Sequence, residues 1–335
     1  MSNQTKNPHL LDYWEGKVSA MVTRPANIIS DPAKERHRLY SLLAMACTLF
    51  FWNGFKKGKA GTYPMNEPVA DKSPKYLKGD YYGHNIVALA VDFDGRVVDF
   101  EINHNNLFNS SNEHAESRLV KRIYSLASLA DTWNFDTVPK NKDDYNTFSD
   151  VTIYTTLESC SQCSGIMALA QVKEIAYLQA DDGMYLIGNI LRNLTEGTKL
   201  QAPNPVDASA YDFEYYDLLN NAFDTFSSTV SSANPFFIPS NTALPPDASQ
   251  SVTSFLCTKI ARDIYQNAKN EFDEYLSGVK PLVHPDFRPN KDVIQLDGTI
   301  STMYAELKNA DLLKEFTNFY SYIETNARRA TPHKI

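Results

Sequence analysis

The sequence predicts an α/β protein, a layered sheet flanked by helices, followed by a mainly helical C-terminal extension. Three observations carry that expectation. Two apolar, β-rich runs at residues 86–93 and 96–102 are joined by Asp94-Gly95, a strong short hairpin signal. Two more β-rich runs, at 151–157 and 174–178, each lead into a stretch with helical spacing. Two short motifs, His114-Ala115-Glu116 and Cys160-Ser161-Gln162-Cys163, fall where two of the helices begin.

Element by element, residues 1–30 form an N-terminal segment that specifies no chemistry. Asp31-Pro32 offers a cap followed by a proline at the first helical position, and Leu39, Leu42, Leu43, Ala46, Leu49 and Phe50 then recur at three- and four-residue intervals. This is a buried helix. Its basic tail, Lys56-Lys57-Gly58-Lys59, and the Gly/Pro-rich residues up to 83 read as a loop, lying beside a substrate entrance or simply solvated. The hairpin follows, then the helix opened by His114, an irregular polar insertion at 131–150, the third strand, the helix opened by Cys160, the fourth strand, and a helix at 184–194. The layered domain is expected to span 31–200 and the extension 201–335. In the extension, 211–226 is amphipathic and aromatic-rich, 227–254 is a Ser/Pro-rich loop, and 256–276 and 303–323 carry helical periodicity.

Composition narrows the class. With 335 residues and 43% hydrophobic content the chain can bury a substantial core. The net charge is −8, yet the first 80 residues hold 12 basic and 7 acidic side chains. Such asymmetry can mark a face for a polyanion, although a solvated basic helix explains it as well. Cys47 and Cys257 sit in apolar contexts and read as buried thiols, so no disulfide framework is expected and a reducing, cytoplasmic setting fits. Residues 1–12 lack the pattern of a signal peptide, and the longest apolar run, 42–52, is too short for a membrane span.

The two motifs make a metal site the leading chemistry. Hydrolytic zinc is typically held by three imidazole or thiolate side chains, with the fourth position left for water. His114, Cys160 and Cys163 supply that set, and two thiolates with a neutral imidazole balance the charge of Zn2+. Glu116, two residues from a ligand, can take a proton from a catalytic water and deliver it to a leaving amine. Ser110, Ser111 and Asn112 are natural caps ahead of the apolar series Leu119, Val120, Ile123, Leu126 and Ala127. Alone, the two cysteines would read as a redox pair or inert buried thiols; the His-x-Glu helix is what favours zinc. Asn103, at the end of the second strand, offers an amide that can read a base edge or merely cap the strand.

These residues resemble the zinc-dependent nucleobase deaminase superfamily of cytidine deaminase-like fold, whose signature is H-x-E followed by P-C-x-x-C. The resemblance spans roughly 33–195, and residues 155–165 look most like the branch that contains tRNA adenosine deaminases and guanine deaminases. It implies zinc on His114, Cys160 and Cys163, Glu116 as the catalytic group, and Asn103 and the backbone of Ala115 as substrate contacts. The implied reaction is hydrolytic deamination, with a purine and specifically adenosine in RNA ahead of a free base, nucleoside or nucleotide of guanine or cytosine type. An RNA substrate would place Lys56, Lys57 and Lys59 against phosphates. A homodimer is compatible with this reading; a membrane partner is not expected. Ser159 stands where the family has proline, and is expected to cap the cysteine helix instead. The extension lies outside the resemblance. A noncatalytic zinc module that binds nucleic acid or a partner is the alternative of another class; an intact Glu116 and the lack of an adjacent fourth cysteine or histidine ligand argue against it.

Overall fold

In the computed structural model, the described residues are 18–52, 55–58, 61–64, 83–105, 108, 110–133, 148–198, 200–232, 251–295 and 297–326. A single turn, α1 (Val18–Met21), precedes the long helix α2 (Asp31–Phe50). Proline in the first turn of α2 gives up an N–H that no helical carbonyl would accept, and Asp31 meets the positive end of the helix dipole. The cap position itself falls one residue earlier than expected, on Ser30, whose backbone is extended. The middle of α2 is buried on every side, including Leu39, Leu42, Leu43, Met45 and Cys47. It is the central post of the core.

The hairpin forms as expected from β3 (Val87–Val91) and β4 (Val97–Ile102). Gly95 has φ 93°, a left-handed conformation that glycine adopts without steric cost, and the Tyr40 hydroxyl donates to its carbonyl at 2.6 Å, fastening the turn to α2. The sheet continues through β5 (Thr152–Thr155), β6 (Glu174–Tyr177) and β7 (Asn204–Asp207) in the order β4-β3-β5-β6-β7. Pairings on the hairpin side are antiparallel; β5-β6 and β6-β7 are parallel. Helix α4 (Ser161–Leu169) connects β5 to β6, and α5 (Ile187–Thr195) connects β6 to β7. Every residue of β3 and β5 is buried, so both faces of the central strands are covered. Helix α2 packs on β3 and β5, and α3 (Ala115–Trp133) packs on β4 and β3. This is the expected layered α/β architecture.

The fifth strand lies just past residue 200, where the sequence reading ends the layered domain. It has no β-branched run to announce it, and Pro205 within it is tolerated because β7 is an edge strand that needs fewer ladder bonds.

The C-terminal third supplies α6 (Glu214–Ser232), α7 (Val252–Phe255), α8 (Lys259–Leu276), the ribbon β8 (Asn290–Ile294) and β9 (Ile300–Tyr304), and α9 (Asn309–Asn326). The Thr258 hydroxyl caps α8 by accepting from Ala261 N at 3.2 Å. Helices α8 and α9 share one apolar cluster with α2: Tyr265 lies 5.3 Å from Trp52, and Phe316 meets Tyr40 edge-on at 5.1 Å. Buried Glu35 of α2 accepts from the backbone N–H groups of Val283 and His284 at 2.7 and 2.8 Å. Helical periodicity from residue 303 does not become helix there, because 300–304 pair with 290–294 around a turn whose Gly298 has φ 81°. Asp297-Gly298 is the same hairpin signal as Asp94-Gly95.

The expected loop after α2 contains a short antiparallel pair, β1 (Phe55–Gly58) and β2 (Gly61–Pro64). Lys56 and Lys57 belong to β1, but their side chains, and Lys59 entirely, lie outside the described residues, as does most of the Ser/Pro-rich stretch. Helix α6 continues to Ser232, into the part of the chain read as loop. The four cysteines are free, with Cys47 and Cys257 buried as expected. Among the described residues no helix is long and apolar enough to cross a membrane.

Candidate metal centre

Two helix starts meet at the site. Helix α3 begins at Ala115, and the carbonyl of the preceding residue, His114, accepts the first intrahelical bond from Arg118 N at 2.9 Å. Cys160 holds the same position on α4, with φ −70° and ψ 171°, and its carbonyl accepts from Ser164 N at 2.9 Å. The candidate ligands His114 and Cys160 are therefore themselves the cap residues. Ser110 and Asn112, expected as caps, instead form the turn before the helix, where Ser110 Oγ accepts from Asn112 N at 3.2 Å. Ser159 likewise does not cap α4, since Cys160 occupies that position; its hydroxyl points to Glu116 Oε1 at 3.4 Å.

Cys160 Sγ is 3.3 Å from His114 Nδ1 and 3.5 Å from Cys163 Sγ, and Cys163 Sγ is 3.6 Å from His114 Nδ1. Zinc bonds of about 2.0–2.1 Å to nitrogen and 2.3 Å to sulfur at tetrahedral angles give ligand edges of roughly 3.5–3.8 Å. The observed edges of 3.3, 3.5 and 3.6 Å come close to that requirement, slightly on the short side. It is also the one His/Cys/Asp/Glu cluster with metal-ligand spacing among the described residues. The hydrogen bond shared by the two sulfurs holds the Cys160 thiol down to about 4 and pushes Cys163 up.

Supporting groups orient the ligands. Gln162 donates from Nε2 to the Ser117 hydroxyl and to Asn112 O, both at 3.1 Å. With its oxygen accepting from Gln162, Ser117 is left to donate its own proton to Cys163 Sγ, 3.5 Å away. Helix α3 is tied to β4 by Arg118 on Glu101 at 3.2 Å and by Arg122 on Asp99 at 2.9 Å. Desolvation raises Asp99 to about 6 even so. Paired in this way, α3 delivers His114 and Glu116 at a fixed height above the sheet.

Glu116 is buried, and burial raises its carboxyl above the usual range. Thr155 donates to its Oε1 at 3.0 Å, while Oε2 lies 3.4 Å from Cys163 Sγ. Ala115 is fully buried at the first helical position. Asn103 follows β4 directly, and its Oδ1 accepts from the backbone N–H groups of His84 and Asn105, both at 3.2 Å. Among the described residues its buried Nδ2 has no hydrogen-bond partner. A Cβ on Gly83 would collide with Asn103 Oδ1 and carbonyl, so glycine is required there.

No protein-family model and no curated protein matches the chain. Among solved structures, one from a study of A-to-I editing by tRNA:A34 deaminases at the wobble position of transfer RNA is similar at 21% identity. That match has a TM-score of 0.26 and covers 37% of this chain and 82% of the other. A guanine deaminase from Nitrosomonas europaea is similar at 19% identity and a TM-score of 0.25, over 40% of this chain and 74% of the other.

His114, Cys160, Cys163 and Glu116, 49 positions apart at the extremes, are thus brought into one cluster, with Asn103 and Ala115 on the elements that frame it. Gly83, Ser117, Thr155 and Gln162 escape sequence reasoning. Thr155 looks like one more β-branched residue in a strand, and only Gly83, by its residue type, carries a local hint.

Proposed function

We propose that the chain is a zinc-dependent hydrolytic deaminase acting on an amino-bearing nucleobase. The observation that carries the proposal is a buried glutamate, in no Lys or Arg ion pair among the described residues, set against a His/Cys/Cys triangle close to zinc dimensions. A purely structural zinc has no use for such a carboxylate. His114, Cys160 and Cys163 would hold the ion, which when bound supplies a water acidic enough to ionise near neutral pH. Glu116 accepts a proton through Oε2 and returns it to the departing amine, so C–NH2 and water become C=O and ammonia. Asn103 Nδ2 donates to an acceptor on the base edge, and the Ala115 N–H, at the free end of α3, is a second fixed donor.

Adenosine in RNA is the first substrate to test, with Lys56, Lys57 and Lys59 as the phosphate contacts. A specific observation favours a second reading, an uncharged free base or nucleoside. Two residues before Cys160, Glu158 borders a cavity of about 520 Å³ that Asp181 and Asp182 also line. Burial pushes Glu158 up to about 7, and the charges of Asp181, Asp182 and Asp207 push the same way. None of His114, Glu116, Cys160 and Cys163 lines this cavity; its link to the centre is Glu158 in the chain segment before Cys160, and carboxylates there disfavour a nearby polyphosphate. The test is ammonia release by the zinc-loaded chain from an RNA hairpin, nucleotides, nucleosides and free bases at low and moderate salt. Salt-sensitive turnover of the hairpin supports RNA; salt-insensitive turnover of a free base supports the second reading. No ammonia from any of them overturns deamination and favours a noncatalytic zinc module.

A further inference from the structure

Thr155 ends β5 and is fully buried. The sheet meets its backbone needs: it is registered with Ala88 on β3 and Tyr177 on β6, and its carbonyl accepts from Leu178 N at 3.2 Å. What remains is a buried hydroxyl that must find a partner. The neighbouring threonines satisfy theirs away from the site, Thr152 on Glu174 Oε1 at 2.7 Å and Thr156 by accepting from Val87 N at 3.1 Å. Thr155 instead donates to Glu116 Oε1 at 3.0 Å, within the range of a full hydroxyl–carboxylate bond. The Ser159 hydroxyl approaches the same oxygen at 3.4 Å, outside that range.

Both hydroxyls fall on Oε1, and Oε2 faces the metal triangle, 3.4 Å from Cys163 Sγ. A glutamate carboxylate otherwise turns about its last torsion between two nearly equivalent orientations. One strong donor on a rigid strand removes that freedom and separates the roles of the two oxygens. We propose that Thr155 is a positioning residue, whose hydroxyl locks the plane of the Glu116 carboxylate so that Oε2 is the oxygen presented for proton transfer. The proposal rests on Glu116 being the proton carrier of the reaction proposed above. Sub-ångström placement of such a group is worth roughly tenfold in rate or more.

The test is a double-mutant cycle on the zinc-loaded full chain, combining Thr155→Val with Glu116→Ala and read in two ways. Valine keeps the volume and branching of threonine and removes only the hydroxyl. In turnover, Thr155→Val is expected to lower kcat about tenfold with KM unchanged and zinc content intact, and Thr155→Ser to restore kcat to within about threefold. In thermal unfolding, which needs no substrate, Thr155→Val is expected to lower Tm by about 2 °C when Glu116 is present and to leave it unchanged or raise it in the Glu116→Ala chain, where the hydroxyl has lost its partner. An equal loss of Tm in both backgrounds overturns the bond. Coupled Tm values with undiminished kcat overturn the positioning role. A wild-type chain that deaminates nothing overturns the functional reading and this role with it, an outcome distinct from an active wild type that Thr155→Val matches.

Discussion

The two helix starts at the metal centre and the helical layer of α2, α8 and α9 are both buried, but they use burial for opposite ends. At the centre, nearly every side chain that matters is polar: Glu116, Asn103, Ser117 and Thr155 are each removed from water and given specific partners. In the helical layer, Leu42, Leu43, Tyr265, Phe272 and Phe316 are buried with nothing to do but pack. Burial of apolar surface is the main source of stability, whereas a buried carboxylate raised above its usual range is a standing charge against it. The C-terminal third thus stabilises a sheet whose candidate-site end is poorly placed to stabilise itself. Substitutions in the two regions should therefore separate activity from stability.

The largest effect expected is at the centre. Glu116→Ala should keep the zinc and a Tm within a few degrees of wild type while kcat falls toward the upper end of the ~10²–10⁴-fold typical of general acid–base groups. Metal analysis with steady-state kinetics reads both; loss of the zinc would recast Glu116 as a ligand and erase the distinction. In the helical layer the complementary variant is Phe316→Ala, which removes a fully buried ring in contact with Tyr40 and Phe272. It should lose about 3–5 kcal/mol of stability in denaturant titration while the folded fraction keeps its kcat. A surface-like loss below about 0.5 kcal/mol would mean that α9 is not part of the core.

A pH dependence sharpens the same contrast. His104, buried beside Asn103 with Nδ1 3.0 Å from the Ile102 carbonyl, is lowered to about 4, first by burial and then by the charge of Arg118. The unfolded residue takes up a proton near 6.5 while the folded one resists until about 4. Stability from this group is therefore full above pH 6.5 and is lost as pH falls through that window, on the order of 3 kcal/mol in all. Asp99, raised to about 6, acts with the opposite sign, so the quantity to measure is the difference between wild type and His104→Gln. Unfolding curves from pH 7 to 4 should converge as pH falls; parallel curves would show that His104 is not held neutral.

The smallest effect belongs to the β8-β9 ribbon, which departs from both regions. Ile294 and Ile300 face each other across it, yet remain 75% and 69% exposed. Ile300→Thr should change stability by no more than about 0.5 kcal/mol in either direction and leave turnover unaltered. A larger loss would show that the ribbon contributes to the core after all.

Local chemistry made much of the layered domain legible. Proline and aspartate announced α2, Asp94-Gly95 announced the hairpin, and the spacing of His114, Glu116, Cys160 and Cys163 announced a shared centre, because turns, helix starts and metal ligands are all constrained over a few residues. The same hairpin signal at Asp297-Gly298 was masked by apolar residues whose spacing also suits a helix, and β7 by a proline that only an edge strand accepts.

Residue types and spacing thus carry the layered α/β class, the candidate donor set and the carboxylate beside it. The tertiary structure alone decided that His114 and Cys160 both occupy cap positions, that the C-terminal helices belong to the core of α2, and that Gly83 leaves room for Asn103. It alone decided, too, that a threonine 39 residues away in the chain bonds Glu116. Ligand type and spacing are properties of short segments, but a hydroxyl finds its partner only when two segments have been packed against each other, and no residue on either one records the distance between them.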